Sequence, residues 1–176
     1  MSNLPVPIPA SESPGNLITG ALWNANVYNG LTFALNPPVA MLYQATAQSL
    51  ASSTNVTITF DSETLDSYGG HSGVTNASRY TAQVAGTYWV YGIASVSANA
   101  TGARIISIYK NGSIVTGATT LSPPTASGAW GGSVGALVVM NVGDYVEINM
   151  DQQTGATLST NVTTQCSAMH VFWKHV

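Results

Sequence analysis

The sequence predicts an all-β, antiparallel sandwich preceded by an extended arm and one short helix, on three observations. Beyond Pro38 the chain breaks into short apolar or alternating segments, each closed by turn residues at spacings that suit an antiparallel sandwich. Gly, Ser, Thr and Asn fill the polar positions while 45% of the residues are hydrophobic, so the core is assembled from many small pieces. Ahead of Pro38, a proline-rich start gives way to an apolar repeat of nearly four residues. At 176 residues the chain suits one domain of ordinary size with a tail.

The elements follow in order. Residues 1–15 carry Pro5, Pro7, Pro9 and Pro14, which block helix and keep the backbone stiff and extended, so this stretch is an arm. From Gly20 to Leu35 an amphipathic helix is expected: Leu22 or Trp23, then Val27, Leu31 and Leu35 recur along it, Thr19 can cap its start, and Pro37-Pro38 stops it. Gly30 and several Asn residues weaken that helix by about half a kilocalorie or more apiece. It therefore needs a partner surface, which suits an anchor, and residues 16–38 are read as a helix-and-linker segment between the arm and a β domain at 39–176.

Strands are expected at 39–44 and 56–60, then, after a polar loop from Asp61 to Ser78, at 79–84 and 86–97. In the long segment at 86–97, Tyr88, Val90, Gly92, Ala94 and Val96 share one face, and Trp89, Tyr91, Ile93 and Ser95 the other. Both faces are apolar near its start, which predicts burial on both sides or a contact between subunits. Segments 104–110 and 113–116 flank Asn111-Gly112, the strongest short-range hairpin signal in the chain. Segments 134–140, 144–150 and 168–173 complete the set, with Asn141-Val142-Gly143 as a turn.

Three neighbouring pieces, read together, resemble the complement C-one-q and tumour-necrosis-factor superfamily: Tyr80-Thr-Ala-Gln-Val-Ala-Gly86-Thr-Tyr88, then Ile106-Ser-Ile-Tyr-Lys110-Asn111-Gly112, then Val142-Gly143-Asp144-Tyr145-Val146-Glu147. The lead-in Ile58-Thr-Phe60-Asp61 and the ending Met169-His-Val-Phe-Trp173 fit that family's second and last strands. The resemblance implies a jelly roll over residues 39–176 that packs as a three-fold homotrimer along apolar faces. The family's collagen-like stalk is absent, and the Leu4-Pro-Val-Pro7 arm and the helix ending Phe33-Ala-Leu-Asn-Pro37-Pro38 stand in its place. In this the chain is similar to small virion proteins of tailed phages of actinobacteria, minor tail, capsid-decoration or head-fibre proteins. The implied partners are further copies of the chain and the major capsid or tail proteins of the particle. Pro5, Pro7, Leu22, Trp23, Val27, Leu31 and Leu35 are the expected anchor residues. Tyr80, Tyr88, Trp89, Tyr91, Tyr145, Phe172 and Trp173 are expected at the trimer interface or in the core of one subunit.

Charge and motif content narrow the function classes. Four Lys and Arg against seven Asp and Glu give a net charge of −3, and the few basic residues are scattered, which argues against nucleic acid. No apolar run reaches the length of a membrane helix, and Met1 to Gly20 lacks the basic start and apolar middle of an export signal, so synthesis in a host cytoplasm and residence in the virion are expected. The single cysteine, Cys166, makes no intrachain disulfide and is expected to have no redox role. Asp61-Ser-Glu63-Thr-Leu-Asp66 clusters three carboxylates but lacks a calcium loop's central glycine, and is read as a solvated acidic loop. His71 near Ser67, Ser72 and Asp66 lacks a nucleophile elbow, and His170, His175 and Cys166 do not close a four-ligand set. No cofactor, metal or catalytic residue is assigned, and the chain is read as non-enzymatic. The Asn-Xaa-Ser/Thr triplets at Asn55, Asn76, Asn99, Asn111 and Asn161 are given no function without export. Trp130, one large aromatic in the run Leu121-Ser-Pro-Pro-Thr-Ala-Ser-Gly-Ala-Trp130, could stack on a host surface glycan in adsorption or fold back over the end of the sandwich.

Overall fold

The computed structural model describes residues 6–8 and 11–176, and Pro5 of the expected anchor lies outside them. Among the described residues twelve strands follow a short helical segment: β1 (Val39–Tyr43), β2 (Ser49–Leu50), β3 (Val56–Thr57), β4 (Ser62–Asp66), β5 (Tyr80–Thr81), β6 (Gly86–Val96), β7 (Arg104–Lys110), β8 (Ser113–Ser122), β9 (Trp130–Met140), β10 (Tyr145–Gln152), β11 (Leu158–Ser159) and β12 (Ala168–His175). One sheet has the order β4-β1-β12-β6-β9; the other runs β3-β10-β7-β8, with β5 also pairing β10, and β2 and β11 form a small ribbon. All ladders between these strands are antiparallel. The core lies between the two large sheets, where inward residues such as Leu42, Tyr88, Val90, Ile106, Ile148 and Val171 are fully or almost fully buried.

The long strand behaves as its pattern predicts. Along β6, Tyr88, Val90, Gly92, Ala94 and Val96 turn inward, while Trp89, Tyr91 and Ile93 stay at least partly exposed on the other face. The Asn111-Gly112 hairpin also forms, with both residues at positive φ, 50° and 77°. That conformation is the mirror-image turn whose twist matches the flanking strands, and glycine adopts it without steric cost. Asn111 then ties the hairpin to the Asp144 turn: its Nδ2 donates to Asp144 Oδ1 at 2.7 Å, and its Oδ1 accepts from the Tyr145 amide at 2.9 Å. Lys110 adds an ion pair to Asp144 at 2.9 Å.

The loop expected from Asp61 to Ser78 needs correction. Its first part is β4, an edge strand pairing with β1 across a register shift at Met41/Leu42. Its middle residues are exposed, so no apolar alternation marks it, and its acidic side chains suit an unpaired sheet edge. The segments expected at 56–60 and 79–84 form only two-residue ladders, because β3 and β5 share β10 as partner at its opposite ends. Ile58 and Phe60 are nevertheless fully buried. β8 and β9 are longer than expected; β8 passes an irregularity opposite Ser107/Tyr109, around Gly117 at positive φ.

Helical structure covers Gly20 to Leu35 as expected, in three pieces: α1 (Gly20–Trp23), a π-helical turn (Asn24–Tyr28) and α2 (Asn29–Leu35). Thr19 caps the start, its Oγ1 accepting from the Leu22 amide at 3.2 Å. Asn36 leaves the helical region at φ −138° and ψ 63°, and the following prolines prevent its continuation. The segment meets the sandwich through Phe33, which is buried against Tyr68, Val84 and Trp173, with Val6 of the arm packed on the same cluster.

Candidate functional site

The outer face of the β4-β1-β12-β6-β9 sheet is unusually apolar for a surface. Outward residues on β12 and β6 bring Phe172 opposite Trp89 and His170 opposite Tyr91. β9 continues the face with Leu137 opposite Trp89 and Val139 opposite Thr87, both exposed. On the other side, Met41 of β1 lies opposite His170. The His170 ring sits 6.4 Å from the rings of Tyr91 and Phe172. Gly135 makes room for this packing: a Cβ there would come within 2.9 Å of the Trp89 ring and 3.3 Å of Tyr91. No charged side chain lies among these outward positions on the three central strands before Lys174. A contiguous apolar, aromatic sheet face of this kind marks a contact surface.

The seven residues expected at an interface or in the core separate accordingly. Tyr80 and Tyr88 belong to the core, their rings 6.1 Å apart, and the Tyr88 hydroxyl donates to the Val84 carbonyl at 2.6 Å. Burial pushes the Tyr88 phenol up to about 12 and raises that of Tyr80 as well. Tyr145 lies under the Arg79 guanidinium, 3.9 Å from its carbon to the ring centroid, and Arg79 pairs with Glu147 at 3.0 Å. Trp173 turns away from the outer face; its Nε1 donates to the Ala85 carbonyl at 3.1 Å and its ring meets Phe33 edge-on at 4.8 Å. Trp89, Tyr91 and Phe172 remain on the outer face, and Trp89 is 39% exposed.

The helical segment presents a second apolar surface. Leu31 and Leu35 are 58% and 86% exposed, Trp23 is exposed, and Leu22 and Val27 are half-buried. Glu12, Leu17, Ile18, Leu22, Trp23 and Val27 line a mostly apolar cleft beside it. The expected stripe therefore points away from the sandwich, and Phe33, which the four-residue spacing passes over, makes the docking contact. The linker is held closely: the Tyr68 hydroxyl donates to the Asn36 carbonyl at 3.1 Å, Ser67 Oγ donates to the Pro37 carbonyl at 3.1 Å, and the Trp173 amide donates to the Pro38 carbonyl at 2.9 Å. Pro7 of the arm is half-buried.

The remaining candidates are absorbed by structure. Trp130 is only 6% exposed and lies in the core cluster as the first residue of β9, so of its two readings the possible glycan contact gives way to the other: the ring folds back into the sandwich. Asp66 accepts from the amides of Tyr68, Gly69 and His71, and Asp61 from that of Ala45. The two ring nitrogens of His71 face the carbonyls of Arg79 and Phe60, at 2.8 and 2.9 Å, and Ser67 is spent on the linker. Asp66 and His71 staple the 67–79 loop, and these side chains form no nucleophile–base pair. Among the described residues no group of three His, Cys, Asp or Glu side chains stands where it could hold a metal.

Neither a family model nor a curated protein matches the sequence. Solved structures do match. The globular domain of zebrafish complement 1qA protein aligns over 78% of this chain and 98% of its own, with a TM-score of 0.54 at 15% identity. Murine APRIL aligns over 77% of this chain and 98% of its own, with a TM-score of 0.55 at 12% identity. The fold is the C1q/TNF-like jelly roll. Within it, the three sequence pieces that carry the resemblance meet at β5–β6, the β7–β8 hairpin and the turn into β10, and the hairpin and that turn are joined by Asn111 and Asp144.

Proposed function

We propose that the protein is a non-enzymatic structural protein of a phage particle, a homotrimeric jelly-roll projection held to the capsid or tail by its N-terminal arm and helix. The observation that carries the reading is the pairing of two separate apolar surfaces on one chain. The aromatic outer face around Trp89, Tyr91, Phe172 and Leu137 suits contact between copies. The helical stripe of Trp23, Leu31 and Leu35 is left over for something else. Its residues, with a proline-rich sequence before them, suit a docking segment that loses little freedom on binding. Three copies per trimer would multiply a modest contact by avidity. The phage assignment rests on the similarity of this arm, helix and jelly-roll arrangement to small phage virion proteins.

Residence in the virion follows from that reading, with synthesis in the host cytoplasm. Adsorption to a host glycan is the alternative role, and with Trp130 buried it would need a different contact.

The test uses the full chain with a photoreactive group at Leu31 or Leu35, assembled into particles of the encoding phage. The expected result is capture of a capsid or tail protein. A chain absent from purified particles, or captured only by its own copies at those positions, would overturn the anchor.

A further inference from the structure

We propose that His170 is a proton-operated release for the aromatic sheet face, so that copies of the chain joined through that face separate on mild acidification. The inference rests on the self-association proposed above. His170 lies on the outer side of β12, the central strand of its sheet, between Met41 of β1 and Tyr91 of β6. Neither of its ring nitrogens is hydrogen-bonded to a described residue, and its half-buried ring leans on Tyr91 and Phe172.

The surroundings decide what a proton does there. β6 presents Trp89, Tyr91 and Ile93, so its one ionisable group is a phenol. β1 presents Met41 and, two residues farther along, the Tyr43 phenol. β12 itself adds Lys174, another cation, on the same strand, and β9, beyond β6, offers Leu137 and Val139. The carboxylates on that side belong to β4, across β1, where Glu63 and Asp66 pair with Leu42 and Ala40. The ion pairs among the described residues, Arg79–Glu147 and Lys110–Asp144, leave His170 out.

A neutral imidazole can be covered by a second copy at the modest cost of one donor and one acceptor. An imidazolium covered without a counter-charge loses its hydration with no compensation. Histidine is the side chain that ordinarily changes charge between about pH 5 and 8, so acidification across that range is the trigger. Each copy supplies one such ring, so one assembly feels several protons at once. His71 and His175 are not equivalent to it: His71 faces two backbone carbonyls inside its loop, and His175 lies exposed at the end of β12 with Nδ1 on the Val176 carbonyl.

The test is light scattering and analytical ultracentrifugation of the full chain at about pH 7.5 and about pH 5.5, spanning the histidine range. It uses the unaltered chain, His170→Phe, His170→Gln and the control His175→Gln, with circular dichroism confirming the fold. The unaltered chain and the control are expected to associate at the higher pH and to bind at least about tenfold more weakly at the lower one. Both His170 variants are expected to lose that difference. Equal association of the unaltered chain at both pH values overturns the switch and leaves self-association standing, as does an acid response retained by both variants. A chain that is monomeric at both pH values overturns self-association itself, and the switch with it.

Discussion

Arg104 is completely buried, and among the described residues no carboxylate pairs with it. Its guanidinium instead gathers the carbonyls of Asn99, Thr101, Gly102 and Ala103, at 3.0 to 3.3 Å, and so closes the loop before β7. Arg104→Met should take this donor from the Asn99, Thr101 and Gly102 carbonyls, Ala103 keeping the Gln153 amide at 3.0 Å, and lower stability by about 2 kcal/mol or more, read as an earlier urea midpoint with an unchanged slope. Asp144 works through charge. The Asn141 amide, with Lys110 and the Asn111 side chain, holds its carboxyl down to about 2. A carboxylate so depressed contributes stability that is full above the ordinary value of about 3.9 and is lost as pH falls. For Asp144 the loss runs down through about pH 2. Thermal unfolding between about pH 5 and pH 2 should therefore show a smaller acid-induced fall for Asp144→Asn than for the unaltered chain. The two residues differ in legibility. Asp144 sits in a turn motif that can be read beside Asn111-Gly112, whereas Arg104 opens an apolar strand and bonds only to main-chain atoms, which no side-chain pattern reveals.

The helical segment divides its labour between two faces. Phe33 alone is buried in it, so Phe33→Ala should undock the segment: amides of residues 20–35 should exchange faster with solvent while those of β6 and β12 keep their protection. Leu31→Asp and Leu35→Asp change exposed positions and should alter stability by no more than about 0.5 kcal/mol, yet reduce incorporation into particles. Equal incorporation by both variants would remove the anchor from this stripe. The helix, its Thr19 cap and its proline stop were readable because periodicity and capping are local. Its docking residue was not, since Phe33 is chosen by Tyr68, Val84 and Trp173, all distant in sequence. The same holds for β4, whose exposed Ser, Glu and Thr carry no alternation, and for β2 and β11, two residues each, whose partners are more than a hundred residues apart. Trp130 shows the converse, a ring in loop-like sequence that the strand beginning at it carries into the core. The boundary drawn between 38 and 39 also cuts through real contacts, because Pro37 and Pro38 are bonded to Ser67 and Trp173.

For the molecule as a whole, the outer face offers the sharpest perturbation. Leu137 is exposed in the single chain, so Leu137→Asp should leave the fold and thermal midpoint of an isolated subunit nearly unchanged. In the proposed assembly the same carboxylate would be buried without a partner, and ultracentrifugation should find the variant monomeric where the unaltered chain is trimeric. The strand register also gives the sandwich a direction. The end of β12 at Trp173 lies beside the start of β6 and the end of β9, and there the helix docks through Phe33. The loops at 97–103, 123–129 and 160–167 therefore lie at the other end, where β6 finishes and β9 and β12 begin. On a particle held by the helix, those loops would form the crown and the end of β12 would sit near the base. A peptide spliced into 123–129 would be presented to antibodies on the outside, whereas the same peptide spliced in beside His175 would be crowded against the support.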